Sequence, residues 1–156
     1  MDLPKLAILG HFPSATNPRS APARLETAPR VLVVDDMPQV AEALAFLLKV
    51  LGATVRVAHS GEQGLEMCAE FEPELVLLDL SMPKMDGLET ARRMKELPAG
   101  RRARLVAVTG FGEEQARVKT KEAGFESHLV KPARLKELEE LLASVRAGTA
   151  EETTAD

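Results

Sequence analysis

Apolar residues in this chain follow two rhythms. Short unbroken runs occur at Val31-Leu32-Val33-Val34, Leu75-Val76-Leu77-Leu78, Val106-Ala107-Val108 and Leu129-Val130. Between them lie longer stretches in which apolar residues recur every three or four positions. Runs this short, separated by helix-length segments, are the pattern of buried strands in a parallel sheet. A further short strand is predicted at Val55-Arg56-Val57-Ala58.

The helical stretches carry their own punctuation. Pro38 suits a first helical turn. Val40, Leu44, Leu47, Leu48 and Leu51 then share one face, and Gly52 closes the helix. Ser60 with Gln63 begins a capping box for a second helix running to about Phe71, where Pro73 stops it. A third is predicted from about Leu88 to Lys95, broken by Pro98 and Gly100. A polar, weakly amphipathic helix follows from Glu113 to Ala123 and ends at Gly124. Leu135, Leu138, Leu141, Leu142 and Val145 stripe the last one.

Each apolar run ends in a polar group: Asp35-Asp36, Asp79, Thr109 and Lys131 in turn. In an open α/β sheet the C-terminal strand edge is where ligands bind. Three carboxylates, a hydroxyl and an ammonium suit a divalent cation and a phosphoryl group. The carboxylates repel one another unless a cation neutralises them, and Mg²⁺ needs only one or two direct carboxylates beside waters and a phosphate. Asp79 is the candidate nucleophile, since a carboxylate can attack a phosphoryl donor. Lys131 and Thr109 would stabilise the transferred group.

Composition narrows the field. The 156 residues, 45% hydrophobic and 28% charged, predict one ordinary folded domain. The net charge of −4 disfavours a nucleic-acid surface. The lone Cys68 excludes an internal disulfide and reads as a small core residue in a reducing compartment. No apolar run reaches the ~20 residues of a membrane span. Residues 1–29 hold half of the ten prolines and read as an irregular extension. Its apolar patch, Leu6 to Leu9 with Phe12, is a candidate docking segment. Residues 148–156 read as an acidic, flexible tail, leaving 30–147 as the domain.

In type, order and spacing, Asp35-Asp36, Asp79, Thr109 and Lys131-Pro132 resemble the receiver domain of two-component response regulators. Met82-Pro83 and Asp86-Gly87 match that family's loop after the acceptor strand, with Gly87 expected to let the chain turn. The resemblance implies a three-layer, doubly wound (βα)5 flavodoxin-like sandwich with a parallel sheet in the order 2-1-3-4-5. It implies that Asp36 and Asp79 bind Mg²⁺ or Mn²⁺ directly, that Asp35 acts through water, and that the Ser81 backbone carbonyl completes the protein ligands. Lys131–Pro132 is often cis in the family. The implied partners are a sensor histidine kinase or histidine phosphotransfer protein and a downstream protein target. No nucleic acid or membrane contact is implied for a cytoplasmic monomer or weak dimer, and no output domain is expected after the last helix.

One position departs from the pattern. Three residues before the lysine the family usually has Tyr or Phe, and here stands His128. With Thr109-Gly110-Phe111-Gly112, this resembles receivers of hybrid histidine kinases. His128 is thus a candidate switch residue beside Thr109, with a pH-sensitive group and a half-buried imidazole as alternatives. Competing functions are weaker. A haloacid-dehalogenase-like phosphatase wants a second Asp where Ser81 stands. A flavodoxin-type flavin carrier wants a Ser-, Thr- and Gly-rich loop where Asp35 and Asp36 stand. A pseudo-receiver acting without phosphorylation is disfavoured by intact Asp79, Thr109 and Lys131.

Overall fold

The computed structural model describes residues 28–110 and 116–154. Strands and helices alternate along these residues: β1 Arg30–Val34, α1 Pro38–Val50, β2 Thr54–Ala58, α2 Gly61–Phe71, β3 Leu75–Asp79, α3 Gly87–Glu96, α4 Pro98–Arg102, β4 Arg104–Thr109, α5 Ala116–Ala123, β5 Phe125–Val130 and α6 Leu135–Thr154. All strand pairings are parallel, and the sheet order is β2-β1-β3-β4-β5. This is the flavodoxin-like arrangement the resemblance implies.

Strand alternation divides the core in two. On one face Leu32, Val34, Val76, Leu78, Leu105 and Ala107 pack with Cys68 of α2, Met94 of α3 and Ala123 of α5. On the other, Val31, Val33, Leu77 and Val108 pack with Leu44 and Leu48 of α1 and Leu138 and Leu142 of α6. Burial on both faces explains why β1 and β3 read as unbroken apolar runs. β2 lies at the sheet edge and alternates instead, with Thr54 and Arg56 exposed. Cys68 is the buried core residue its position predicts.

Several local expectations hold with changes of detail. The Ser60 side chain accepts from Gln63 N–H at 3.1 Å. The Gln63 side chain, however, accepts from the His59 N–H at 2.7 Å rather than from Ser60, so the reciprocal half of the capping box is displaced by one residue. Gly52 and Gly124 adopt φ of 97° and 107°, the left-handed values that end α1 and α5.

Four expectations are corrected. Pro98 and Gly100 do not simply break a helix; they start and occupy the short α4. Pro tolerates a first helical turn, and Gly100 is small because a Cβ there would collide with the Met94 carbonyl. Leu135, placed in the core stripe of the last helix, is 47% exposed at its first turn. Gly87 takes no positive φ; its role is close approach, described below. Finally, the backbone of α6 stays helical to Thr154, through most of the segment expected to be a flexible tail. Ala147, Ala150, Glu151 and Glu152 are good helix formers that offset Gly148, whose cost is about 1 kcal/mol. The extension at residues 1–27 and the segment 111–115 lie outside the described residues, so the docking patch Leu6–Phe12 and the start of the Glu113–Ala123 helix fall there.

Candidate functional site

β1 and β3 are neighbours in the sheet, and β1 connects outward to β2 while β3 leads on to β4. The strand order therefore reverses between them, and their C-terminal ends open a crevice there. Asp35 leaves β1 and Asp79 ends β3 at this crevice, both almost fully buried at 3% and 4% exposure. Asp36 is half-exposed beside them. One oxygen from each of the three lies within 4.8 Å of the others.

Backbone geometry aims the two buried carboxylates. Asp35 Oδ1 accepts the Met37 N–H at 2.9 Å, and its own N–H donates to Ala58 O at 3.0 Å. His59 Nδ1 donates to the Asp35 carbonyl at 3.2 Å. Asp79 Oδ1 accepts the Ser81 N–H at 3.1 Å. Asp86 caps α3 by accepting from the Glu89 N–H at 2.8 Å. The next residue, Gly87, donates to Leu80 O at 3.1 Å. A Cβ at Gly87 would come within 2.7 Å of Leu80 Cα and strike the Asp79 carbonyl. Glycine thus lets α3 seat directly on the strand end that carries Asp79. Sequence reasoning found Asp86-Gly87 but assigned it a turn; a lone Asp-Gly pair does not distinguish a turn from a close approach.

Lys131 arrives from the opposite side. It follows β5, its N–H donates to Thr109 O at 2.7 Å, and its bond to Pro132 is cis, as the resemblance implied. Its ammonium sits 2.8 Å from Asp35 Oδ2 and 3.5 Å from Asp79 Oδ1. Burial alone would lower the Lys131 pKa. The hydrogen bond with Asp35 and the charges of Asp79 and Asp35 together outweigh it and hold the ammonium above its ordinary value. Burial is also the main reason the Asp79 carboxyl is raised; Asp35 and Asp36 raise it further, against the Ser81 N–H and Lys131.

Thr109 ends β4 half-buried, paired across the sheet with Val130. His128 pairs with Ala107, on the sheet face that α5 covers. Its Nε2 shares a hydrogen bond of 2.7 Å with Oγ1 of Thr120, which is fully buried on α5. Thr120 went unremarked in the sequence. The available signal was a polar residue three before Ala123, on the inward stripe of an already polar helix. Ser81 is exposed and touches the site through its backbone.

The donor set fits a hard divalent cation. It consists of carboxylate oxygens, and one ammonium against three carboxylates leaves an excess of negative charge. Asp35 has both oxygens engaged, by Met37 and Lys131. Asp36 has a half-exposed side chain, and the contacts of Asp79 fall on Oδ1.

The family model of the response regulator receiver domain matches residues 31–143. The chain belongs to this family. It is 37% identical over 102 residues to an uncharacterized 14.6 kDa protein from Leptolyngbya boryana, covering 65% of this chain and 78% of that one. It is 40% identical over 118 residues to the response regulator MprA of Mycobacterium ulcerans, covering 76% of this chain and 49% of the regulator. The chain thus spans about half the length of the MprA regulators it resembles. Among solved structures, the receiver domain of the sensor histidine kinase PA1611 from Pseudomonas aeruginosa superposes with a TM-score of 0.70 at 25% identity. That match covers 77% of this chain and 98% of that one, and the PA1611 structure has a magnesium ion coordinated in its active-site cleft. The chemotaxis protein CheY4 of Vibrio cholerae shares the fold, with a TM-score of 0.71 at 23% identity over 76% of this chain and 98% of that one. This protein is therefore a two-component receiver domain, a signalling phosphoacceptor module. Among the described residues, no helix is long and apolar enough to cross a membrane.

Proposed function

We propose that Asp79 accepts a phosphoryl group from a phosphohistidine on a sensor kinase or histidine phosphotransfer protein, and that the change is read by a protein partner. The observation that carries this is the Lys131 ammonium lodged between two buried carboxylates, 2.8 Å from Asp35 and 3.5 Å from Asp79. With Oδ1 of Asp79 held by Ser81 and facing Lys131, Oδ2 is the attacking oxygen. A new P–O bond forms an acyl phosphate while the P–N bond of the donor breaks, and the donor imidazole recovers a proton. Such a transfer asks the protein mainly for positioning and charge. Lys131 follows the charge onto the phosphoryl oxygens, and Thr109 donates its hydroxyl to one of them.

Asp36 and Asp79 would hold Mg²⁺ or Mn²⁺ directly, with the Ser81 carbonyl, and Asp35 through water. The cation would supply neutralisation of the carboxylates and of the phosphoryl oxygens. The same site assists loss of the phosphoryl group to water, so the chain takes part in its own phosphorylation and dephosphorylation without being a conventional enzyme. Output runs through the face of α5, β5 and α6, where Val118, Val130 and Leu135 are 66%, 46% and 47% exposed. The functional context is a cytoplasmic domain with protein partners.

The test is intact-mass measurement after incubation with acetyl phosphate and Mg²⁺. One added phosphoryl group is expected on the native protein and none on Asp79→Ala. Equal labelling of the variant refutes the assignment.

A further inference from the structure

Among the described residues, helix α5 presents little apolar area to the sheet. Val118, its largest aliphatic side chain among those described, points to solvent at 66% exposure. The side chains it buries among those described are Thr120 and Ala123, both small. Each buried methylene contributes only about 0.8 kcal/mol, so two such residues anchor a helix weakly. Thr120 also carries a hydroxyl into a fully buried position, where an unmade hydrogen bond costs about 1–3 kcal/mol. It bonds to His128 Nε2 at 2.7 Å. A hydroxyl either donates or accepts, so this bond forms with the ring neutral or protonated.

His128 stands where the family pattern has an aromatic ring, and its surroundings suit an imidazole tied down by a bond. Its cross-strand neighbour is Ala107, and Ala123 covers the same sheet face; both are small. Thr109 lies two residues beyond Ala107 on that face of β4. The groove lined by Thr120, Lys121, Phe125, Glu126, Ser127 and His128 opens at the same junction and offers the ring a way out.

We propose that Thr120 is the positioning residue of the switch: its hydroxyl holds the His128 ring beneath α5 and thereby latches α5 to β5 in the unphosphorylated protein. What the latch serves rests on the receiver function proposed above; the latch itself is a property of the resting fold. The His128 ring is thus placed by a hydrogen bond at the position where the family pattern has an aromatic ring. Phosphorylation then acts on a helix joined to β5 by the Thr120–His128 bond.

Amide hydrogen exchange by NMR on the unphosphorylated full chain tests this, together with long-range ¹H–¹⁵N spectra of the His128 ring. Thr120→Val keeps the volume and removes the hydroxyl; Thr120→Ser does the reverse. The α5 amides should exchange about tenfold faster in Thr120→Val, the order expected for one net hydrogen bond. The His128 Nε2 resonance should move, and β1 and β3 amides should stay unchanged. Thr120→Ser should restore both signals. His128→Phe should loosen α5 to the same degree, and the double variant with Thr120→Val should add nothing further; if Thr120→Val fails to fold, His128→Phe removes the same bond and its α5 exchange against the native chain decides the matter. Unchanged α5 protection and ring signals in Thr120→Val, or equal disruption by Ser and Val, would overturn the latch. Labelling with acetyl phosphate and Mg²⁺ runs in parallel. A native chain that takes no phosphoryl group refutes the receiver chemistry, while the exchange data decide the latch in either case.

Discussion

Lys131 lies closer to Asp35 than to Asp79, at 2.8 Å against 3.5 Å. The lysine is thus held at rest chiefly by Asp35, and it faces Asp79, the proposed acceptor, without being fully committed to it. Such an ammonium can follow negative charge as it develops on a phosphoryl group, with little rearrangement.

The Lys131–Asp35 pair also bears on stability. Lys131→Met would leave Asp35, a side chain 4% exposed, without its cation. An unpaired buried charged group costs at least about 1–3 kcal/mol. Urea unfolding without divalent cation should show a loss of that order, and acetyl phosphate labelling should slow at least tenfold. Undiminished labelling would remove Lys131 from the chemistry.

Divalent cation should stabilise the fold through Asp36. A ligand that binds only the native state adds RT ln(1 + [L]/Kd), about 1.4 kcal/mol at ten times Kd. Thermal unfolding of the native chain should move upward with Mg²⁺, and that shift should largely vanish in Asp36→Asn. Without metal the variant should be at least as stable as the native chain, since one like charge leaves the cluster. An unchanged Mg²⁺ response would contradict the ligand assignment.

The raised Asp79 carboxyl implies a pH dependence of opposite sign to that of a salt-bridged acid. Between the ordinary Asp range and the higher folded value, the native state binds more proton than the unfolded chain. Stability contributed by this group therefore falls as pH rises through that window. In EDTA, melting from pH 4 upward should show a declining component that Asp79→Asn abolishes, and the variant should be the more stable protein at pH 7. Parallel profiles for the two proteins would show that Asp79 is not destabilised by its burial.

Gly87→Ala should disturb both fold and site. The added methyl meets the Asp79 carbonyl and Leu80 Cα, and overpacking of this kind costs about 1–3 kcal/mol. Gly110→Ala is the control, because no atom of the described residues lies within 4 Å of a Cβ there; it should change stability by less than about 0.5 kcal/mol. Phosphoryl acceptance should fall in the first variant alone. Equal behaviour of the two would mean that α3 can move away from β3 at no cost.

Much of the fold was legible because a parallel sheet buried on both faces leaves a coarse trace: unbroken apolar runs, each ending in a polar residue at the open edge. Val31 to Val34 and Leu75 to Leu78 carry that trace, and Asp35, Asp36, Asp79, Thr109 and Lys131 sit at the strand ends it marks. Short-range contacts were less legible. Gly100 and Gly87 looked like breakers and turns, but both are small because another backbone lies against them. Leu135 followed the helical period yet stays exposed. Propensity and periodicity register what a residue permits its own backbone, not what another element brings near.

The sequence by itself determined the alternation of elements and the kinds of group at the strand ends, because both are written in the local order of apolar and polar residues. Only the tertiary structure decided which of those groups touch. The choice of Asp35 over Asp79 by Lys131, the seating of Gly87 on the end of β3 and the bond between Thr120 and His128 all join segments brought together by the strand crossovers. Distances of a few tenths of an ångström decide such contacts, and they are set by the packing of whole helices on the sheet rather than by any local pattern.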